Sequence, residues 1–263
     1  MELSKGGAVI SQFFDQLGDS NAAVLFLDFD GTLAPFHADP QQVDMYPGIA
    51  PRLDRLIQET GTRLIVVSGR PVDNLRTFMR LNTVPELWGC HGAERLVNDN
   101  KRTQDLSEKQ EKGLKQGLVI LLATLPTVRH ESKPYSIAVH WRGEPIPTQQ
   151  NIAKTVRELW EPLAAAHELV VADFDNGLEL RPENIHKGVV VDTVLRDYPE
   201  GVPAAYLGDD YTDEDAFKAM GKRGLKALVR REPRATAADL ILNPPEDVIA
   251  FLDRWIDCIG GSK

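Results

Sequence analysis

The feature that most constrains the fold of this chain is a series of short, uninterrupted apolar runs that alternate with helical segments. The apolar runs lie at residues 24–27, 64–67 and 204–207, and the helical segments lie at 47–60, 187–196 and 213–220. Strands that are apolar on both faces and are joined by helices are typical of parallel sheets covered on both sides. The pattern therefore predicts an α/β fold with a doubly wound parallel sheet.

The middle of the chain has a different pattern, in which a helical segment is followed by two strands, twice in succession. The helices are predicted at 106–125 and 147–167, and the strands at 127–133, 136–141, 169–174 and 178–180. Asp175-Asn176-Gly177 is a strong turn signal between the last two strands. We therefore predict a smaller α+β domain at 105–182, inserted into a core domain formed by 1–104 and 183–263.

The composition of the chain limits the partners and the cellular location that we expect for it. The 263 residues are 42% hydrophobic, and 39 acidic against 30 basic side chains give a formal charge of −9, which repels nucleic acid and anionic lipid. The first twenty residues have no basic flank and no long apolar core, and the chain has only two cysteines. We therefore expect no signal peptide, no membrane partner, no nucleic-acid partner and a cytoplasmic location. We also expect a monomer.

Asp28-Phe29-Asp30-Gly31-Thr32-Leu33 follows directly after the first predicted strand. Alternation along the strand end places Asp28 and Asp30 on one side, at the carboxyl edge of the sheet where α/β proteins bind ligands. Two carboxylates so close repel each other, and a cation such as Mg²⁺, which prefers oxygen ligands, would relieve that repulsion. The alternative is a strand followed by an ordinary Asx-type turn.

A second acidic segment, 208–215, ends another predicted strand and opens a helix. Acids at the start of a helix stabilise it whatever the function, which accounts for Asp213 and the acids after it. Helix capping does not account for Asp209 and Asp210 at the strand end. These two residues are candidates for further metal ligands.

Two more segments supply groups that suit an anionic substrate. Ser68-Gly69-Arg70 closes the second strand, and its hydroxyl and backbone N–H groups could hold a phosphoryl group. Lys187 opens the helix after the insert and could balance negative charge at the sheet edge. Each segment alone is consistent with an ordinary turn or a surface lysine, but the four segments in this order are far more specific.

These four segments resemble the four motifs of the haloacid-dehalogenase (HAD) superfamily of aspartate-nucleophile phosphotransferases. They are DFDGTL at 28–33, SGR at 68–70, Lys187 and GDDYTDEDAF at 208–217. Within the superfamily the sequence resembles the trehalose-6-phosphate phosphatases, through HGAE at 91–94, KPYSIAVHWR at 133–142 and LELRP at 178–182. The resemblance implies a Rossmann-like core, a mobile inserted cap of the C2 type, and Mg²⁺-dependent hydrolysis of trehalose 6-phosphate to trehalose and phosphate.

The resemblance also implies roles for the core residues. Asp28 attacks the phosphorus and forms an aspartyl phosphate, while Asp30 protonates the departing sugar oxygen and later deprotonates water. The transferred phosphoryl group is held by Ser68, Gly69 and Lys187.

The metal ligands implied by the resemblance come from the two acidic segments. Mg²⁺ is held by the Asp28 side chain, the Asp30 backbone carbonyl and Asp209, and Asp213 supports it through water or hydrogen bonds. Thr32 is expected to orient Asp30.

A further set of residues matches positions that bind the sugar. These are His91, Glu94, Glu131, Lys133, Arg142 and Glu179. Paired charges suit sugar hydroxyls, which both donate and accept hydrogen bonds. The alternative is that the charged residues belong to solvated strand faces or surface ion pairs, and that His91 and Glu94 only shape a turn. Asp175 departs from the family, which often has a basic residue near this turn. The cap is expected to close and open about hinges at 103–106 and 182–186.

Two alternatives stay open. The same chemistry could act on sucrose 6-phosphate, a glucosyl- or mannosyl-glycerate phosphate or a hexose phosphate, because the core motifs contact only the phosphoryl group. A receiver-type signalling module also has an acidic pair, a phospho-accepting Asp, a Ser or Thr and a Lys. That module is about half as long and has no inserted domain.

Overall fold

The structure is a computed structural model that describes residues 3–37, 39 and 41–260. The helices are α1 (Leu3–Gly18), α2 (Ile49–Glu59), α3 (Val72–Met79), α4 (Glu108–Thr124), α5 (Ile146–His167), α6 (Lys187–Leu195), α7 (Asp213–Met220) and α8 (Glu246–Gly260). The strands are β1 (Ala23–Leu27), β2 (Thr62–Val67), β3 (Glu86–Gly89), β4 (Glu94–Val97), β5 (Asn100–Thr103), β6 (Arg129–Ser132), β7 (Ile137–His140), β8 (Leu169–Phe174), β9 (Gly177–Pro182), β10 (Ala204–Gly208), β11 (Leu225–Val229) and β12 (Leu240–Leu242). Among these helices, none has the length and apolar character needed to cross a bilayer.

The chain divides into two compact units. The first consists of the chain up to Thr103 and from His186 onward, and the second is Gln104–Ile185. The first unit contains an eight-stranded sheet in the order β12-β11-β10-β1-β2-β3-β4-β5. Neighbouring strands from β12 to β3 run parallel, and β4 and β5 complete one edge as antiparallel strands.

Helices cover both faces of this sheet because its central strands are apolar on both faces. Ala23, Leu25 and Leu27 of β1 pack in the core formed with α1, α2, α3 and α8. Val24 and Phe26, which alternate with them, pack in the core formed with α6 and α7. All five residues are fully buried. The structure therefore confirms the predicted doubly wound α/β fold.

The order of the strands brings the polar segments of the sequence together. β1 lies between β10 and β2 and is parallel to both. The carboxyl ends of these three strands therefore meet at one edge of the sheet, and each is followed at once by a polar residue: Asp28, Ser68 or Asp209. In α/β sheets this edge is where ligands bind.

The second unit is a four-stranded antiparallel sheet with α4 and α5 packed on one face. The strand order is β6-β7-β9-β8. The core between helices and sheet contains Leu114, Leu121, Ile137, Val139, Val156, Trp160, Ala164, Leu169, Leu178 and Leu180. Close packing of α4 on the sheet favours glycine at 117, because a Cβ there would lie 2.6 Å from the Leu180 side chain of β9. This unit is the inserted α+β element that the sequence predicts.

Residues on the other face of this small sheet form a cross-strand row. Glu131 pairs with Ala138, Ala138 with Glu179, and Glu179 with Ala172. Because successive side chains of a strand point to opposite faces, these four share the face opposite Leu178 and Leu180. We call Glu131, Ala138, Glu179 and Ala172 the acidic row.

Candidate active site

Asp28 forms a buried ion pair at the carboxyl end of β1. Its side chain is 5% exposed and its Oδ1 lies 2.8 Å from Nζ of Lys187, which is 3% exposed. Lys187 is the first residue of α6, so the helix start delivers the ammonium to the sheet edge. The structure thus brings together the two residues that the sequence predicted as nucleophile and phosphoryl-binding cation.

Asp213 organises the surroundings of that pair. Its Oδ1 accepts hydrogen bonds from Nζ of Lys187 and from the hydroxyl of Tyr206, both at 2.7 Å. Its Oδ2 accepts from the backbone N–H groups of Asp209 and Asp210, at 3.1 and 3.0 Å. Four donors therefore use both oxygens of this fully buried carboxylate. Gly208 permits the approach, since a Cβ there would lie 2.3 Å from Cγ of Asp213.

The carboxylates in this cluster carry more negative charge than Lys187 can balance. Oxygen atoms of Asp28, Asp209 and Asp213 all lie within 4.8 Å of one another. Burial, together with the charge of Asp213, raises the pKa of Asp28 to about 7 despite the opposing effect of Lys187. Burial, followed by the charges of Asp28 and Asp213, also raises the pKa of Asp209. For Lys187 the two aspartates outweigh the effect of burial, so its pKa is raised and it stays protonated.

The donor set fits a hard divalent cation. Oδ1 of Asp209 is buried and has no hydrogen-bond partner among the described residues, and such an atom is costly unless something coordinates it. Gly31 lies directly against this carboxylate, with φ of +80° and no room for a Cβ, which would lie 2.2 Å from Oδ2. Carboxylate and carbonyl oxygens are the ligands that Mg²⁺ prefers.

Asp30 faces a different partner. Both of its oxygens accept hydrogen bonds from the Arg70 guanidinium, from Nε and from a terminal nitrogen, each at 2.7 Å. The guanidinium in turn lies over the rings of Phe78 and Phe29, 5.0 and 6.0 Å from their centroids. Arg70 belongs to the SGR segment, but the sequence did not predict a role for it. Thr32, expected to orient Asp30, has a buried Oγ1 with no hydrogen-bond partner among the described residues.

A turn after β3 wraps around the segment that follows β2. The backbone N–H groups of Cys90 and His91 donate to the carbonyls of Arg70 and Ser68, each at 2.9 Å. The His91 ring packs on Gly69, where a Cβ would lie 2.8 Å from it. Cys90 and His91 have φ of +49° and +57°, a strained conformation for two consecutive residues other than glycine. Ser68 is buried, and its Oγ accepts from the Arg70 N–H at 3.1 Å.

Glu94 is the first residue of β4, and its side chain contacts the start of α3. Its carboxylate accepts a hydrogen bond from the Val72 N–H at 2.9 Å and lies 3.5 Å from Nζ of Lys101. The side chain is 8% exposed. These contacts give Glu94 a role in fixing the start of α3, which the sequence did not predict.

The remaining predicted residues belong to the second unit. Oε2 of Glu131 lies 3.6 Å from Nζ of Lys133 and 3.8 Å from Nε2 of His140, and His140 and Lys133 lower the pKa of Glu131 to about 2. Glu179 is buried and accepts a hydrogen bond from the Ser136 hydroxyl at 2.6 Å. Glu131 and Glu179 thus share the acidic row.

Arg142 and Asp175 are partners. A terminal nitrogen of Arg142 lies 3.1 Å from Oδ2 of Asp175, at the turn between β8 and β9. Asp175 stands where a basic residue was expected. It pairs instead with a basic residue, Arg142, two positions after the end of β7. The structure places the two residues in contact, and neither belongs to the acidic row.

Several solved structures have a fold similar to that of this chain. The fold resembles a sugar phosphatase of HAD subclass IIB, with a TM-score of 0.61, 13% identity, and coverage of 89% of this chain and 98% of that chain. It also resembles the trehalose-6-phosphate phosphatase C-terminal domain from Candida albicans, with a TM-score of 0.79, 20% identity, and coverage of 95% and 96%. An Aspergillus fumigatus trehalose-6-phosphate phosphatase gives a TM-score of 0.68 at 24% identity, over 94% and 97% of the chains. The fold is that of the HAD phosphatases.

Sequence comparison narrows the class to one family. The model of the trehalose-phosphatase family matches residues 26–244, and the chain belongs to that family. A trehalose-phosphate phosphatase from Mycobacterium tuberculosis is 34% identical over 244 residues, which are 88% of this chain and 60% of that protein. A probable trehalose-phosphate phosphatase from Arabidopsis thaliana is 29% identical over 267 residues, covering 92% of this chain and 74% of that protein. The chain therefore spans about 60% of the length of its mycobacterial relative.

Proposed function

We propose that the protein hydrolyses trehalose 6-phosphate to trehalose and phosphate, through an aspartyl phosphate on Asp28 and with bound Mg²⁺. The observation that carries this proposal is the buried Asp28–Lys187 pair within a cluster of three carboxylates, in a chain of the trehalose-phosphatase family.

In the first step, Oδ of Asp28 forms a bond to phosphorus while the bond between phosphorus and the sugar oxygen breaks. Asp30 gives its proton to the departing sugar oxygen. In the second step Asp30 takes a proton from water, whose oxygen forms a bond to phosphorus as the Asp28–phosphorus bond breaks. Asp28 is thereby returned as a carboxylate and Asp30 as an acid, so atoms and charge balance.

The metal would be held by the side chains of Asp28 and Asp209 and by the backbone carbonyl of Asp30. When bound, it supplies positive charge to the phosphoryl oxygens and lowers the repulsion between the carboxylates. Asp213 supports this site indirectly, because its two oxygens are already used by four donors. Lys187 and Ser68 bind the transferred phosphoryl group, since both stand at the sheet edge beside Asp28.

Arg70 holds Asp30 in place in this scheme. A guanidinium with two hydrogen bonds to one carboxyl group fixes the position of that group. One oxygen of Asp30 leaves Arg70 to carry the proton to the sugar oxygen, and the other stays bound to Arg70.

The second unit supplies sugar recognition. Glu131, Lys133, Arg142 and Glu179 offer the mixture of acceptors and donors that glucose hydroxyls require. We propose that this unit, predicted at 105–182, is a mobile cap, and that His91 assists from the turn beside Gly69.

Phosphate release from a panel of sugar phosphates tests the proposal. The panel contains trehalose 6-phosphate, sucrose 6-phosphate and glucose 6-phosphate, each with Mg²⁺ and with EDTA. We expect the highest kcat/KM for trehalose 6-phosphate and loss of turnover in EDTA that added Mg²⁺ restores. A preference for sucrose 6-phosphate contradicts the assigned substrate, and full turnover in EDTA contradicts the metal site.

A further inference from the structure

Arg234 belongs to the segment between β11 and β12, outside every motif that the sequence analysis singled out. Its guanidinium contacts the loop that joins β10 to α7, residues 209–212, which we call the Asp209 loop. One terminal nitrogen lies 2.5 Å from Oε1 of Glu214, and the other donates to the carbonyl of Asp210 at 2.8 Å. The guanidinium also lies 4.5 Å from the centroid of the Tyr211 ring. The Arg234 side chain is only 9% exposed.

The carbonyl that Arg234 contacts is part of the turn that shapes the Asp209 loop. It also accepts the N–H of Asp213, at 3.1 Å. The carboxylate of Asp213 in return accepts the N–H groups of Asp209 and Asp210. The Asp209 loop is therefore fixed by hydrogen bonds to two side chains, those of Asp213 and Arg234.

The position of this loop matters because Asp209 has little freedom. Its carboxylate lies against Gly31, where a Cβ would come within 2.2 Å of Oδ2. Its Oδ1 is buried with no hydrogen-bond partner among the described residues. A small displacement of the loop would change the distance between this oxygen and the carboxylate of Asp28.

We propose that Arg234 is a positioning residue for the metal ligand Asp209, an inference that rests on the metal site of the proposed function. Arginine suits this task because a planar guanidinium binds a carboxylate, a carbonyl and an aromatic face at the same time. Lysine has a point charge and cannot keep all three contacts. Glu214 also binds the segment that contains Arg234, since its other oxygen accepts the N–H of Ala237 at 2.9 Å.

Binding of Mn²⁺, measured by the electron paramagnetic resonance signal of the free ion, tests this inference without using enzyme activity. The proteins are the unaltered chain, Arg234→Ala, Arg234→Lys and the control Arg223→Ala. Arg223 is a matched control because it also donates to backbone carbonyls, those of Leu195, Tyr198 and Pro199. Within the part of the chain that the structure describes, its side-chain hydrogen bonds do not involve the Asp209 loop. Thermal unfolding in EDTA is recorded for each protein.

We expect the Mn²⁺ dissociation constant to rise about 10- to 100-fold in Arg234→Ala, the usual effect of losing a group that orients a ligand. Arg234→Lys should give a smaller rise, and Arg223→Ala should leave the constant unchanged even where it lowers the melting temperature. An unchanged constant in Arg234→Ala, or an equal rise in Arg223→Ala, overturns the inference. If Arg234→Ala does not fold, an unchanged constant in Arg234→Lys overturns it. Failure of the unaltered chain to bind Mn²⁺ overturns the metal site itself and the inference with it.

Discussion

At the scale of single residues, the carboxylate of Asp30 is bound by the guanidinium of Arg70, which in turn contacts two aromatic rings. The two hydrogen bonds from Arg70 to Asp30 are equal in length, and the guanidinium lies near the rings of Phe29 and Phe78. In the proposed mechanism, a fixed guanidinium also fixes the direction from which Asp30 approaches the substrate. A residue that positions a general acid should matter most where the leaving group needs a proton.

We expect Arg70→Lys to lower kcat for trehalose 6-phosphate by about 10- to 100-fold, a part of the 10²- to 10⁴-fold that general acid–base catalysis contributes. A lysine ammonium cannot hold both oxygens of Asp30. Turnover of p-nitrophenyl phosphate should fall far less, because its leaving group is stable without protonation. Steady-state kinetics on both substrates measure this, and an equal loss on the two would assign Arg70 to the phosphoryl group or to the fold.

Asp213 shows why residue roles at the site are only partly predictable. Its place at the start of α7 followed from the acids at 213–215, and capping was a sufficient explanation for them. Its contacts come from Tyr206, 7 residues away, and Lys187, 26 residues away. Local sequence contains no information on that packing, so Tyr206 was predicted only as part of a strand and not as a partner of Asp213. The one available signal was Gly208, which leaves room for the Asp213 carboxylate.

At the scale of elements, the acidic row depends on the register of β6, β7 and β9. That register places Glu131 and Glu179 on one face of the sheet with Ala138 between them. A shift by one residue would move both acids to the face that packs on α4 and α5. The buried hydrogen bond from Ser136 further fixes Glu179.

We expect Glu179→Ala to lower kcat/KM for trehalose 6-phosphate by roughly ten- to a thousand-fold, or about 1.4 to 4 kcal/mol. The reason is the loss of a buried acceptor for sugar hydroxyls. Hydrolysis of a small aryl phosphate should scarcely change. The control is Glu161→Ala, which removes an exposed acid of α5 that pairs with Arg157. This substitution should leave kcat/KM for both substrates unchanged.

Equal losses on both substrates in Glu179→Ala would mean that Glu179 supports the fold, and the recognition role would have to be abandoned. Glu179→Gln, which keeps an acceptor for the Ser136 hydroxyl, separates loss of charge from loss of packing. A smaller effect on folding stability than in Glu179→Ala is expected.

Elements with strong local signals were predictable and others were not. Helix α7 has the predicted bounds, and α4 begins one residue after Ser107, whose capping box with Gln110 sets its start. The hairpin of β8 and β9 turns at Asn176, which has φ of +63°.

The pair β4 and β5 was not predicted, because β5 (Asn100–Thr103) is fully exposed and polar and pairs only at the sheet edge. Helices α1 and α8 were also missed. They pack on each other although they lie at opposite ends of the chain, and α8 also pairs with α2 through Asp253 and Arg52.

At the scale of the whole molecule, the buried carboxylates link stability to pH. The pKa of Asp28 is raised to about 7 by burial, so without metal the native state binds a proton more tightly than the unfolded chain. The free energy of unfolding should then fall as pH rises from about 4 to 7. In EDTA we expect the melting temperature of the unaltered chain to fall relative to that of Asp28→Asn over this range.

Added Mg²⁺ should reverse this trend, because a ligand that binds only the native state stabilises it. Melting curves at several pH values, with EDTA and with Mg²⁺, measure both effects. The same pH dependence in Asp28→Asn as in the unaltered chain would show that other groups control stability here.

The global fold followed from sequence more completely than the boundaries between its units. Apolar strands and connecting helices were sufficient for a doubly wound sheet with an inserted α+β unit. The units change over after Thr103 and after Ile185, while the sequence placed the changes after 104 and after 182. The boundary after Ile185 is hard to predict from sequence, because β9 already ends at Pro182. The residues up to Ile185 still belong to the second unit, and the carbonyl of Ile185 accepts a hydrogen bond from the Arg181 side chain. The cytoplasmic location and the monomeric state stay predictions.

The proposed function requires that Asp28 takes part in the repeated hydrolysis of trehalose 6-phosphate. The most direct test is the amount of phosphate released per enzyme by the unaltered chain and by Asp28→Asn, with Mg²⁺ and with circular dichroism to confirm folding. We expect many equivalents of phosphate, with an equal amount of trehalose, from the unaltered chain. Asp28→Asn should lose at least about 10³-fold in rate, because the amide cannot act as the nucleophile. Release that stops at one equivalent, or turnover by folded Asp28→Asn close to that of the unaltered chain, would contradict the account.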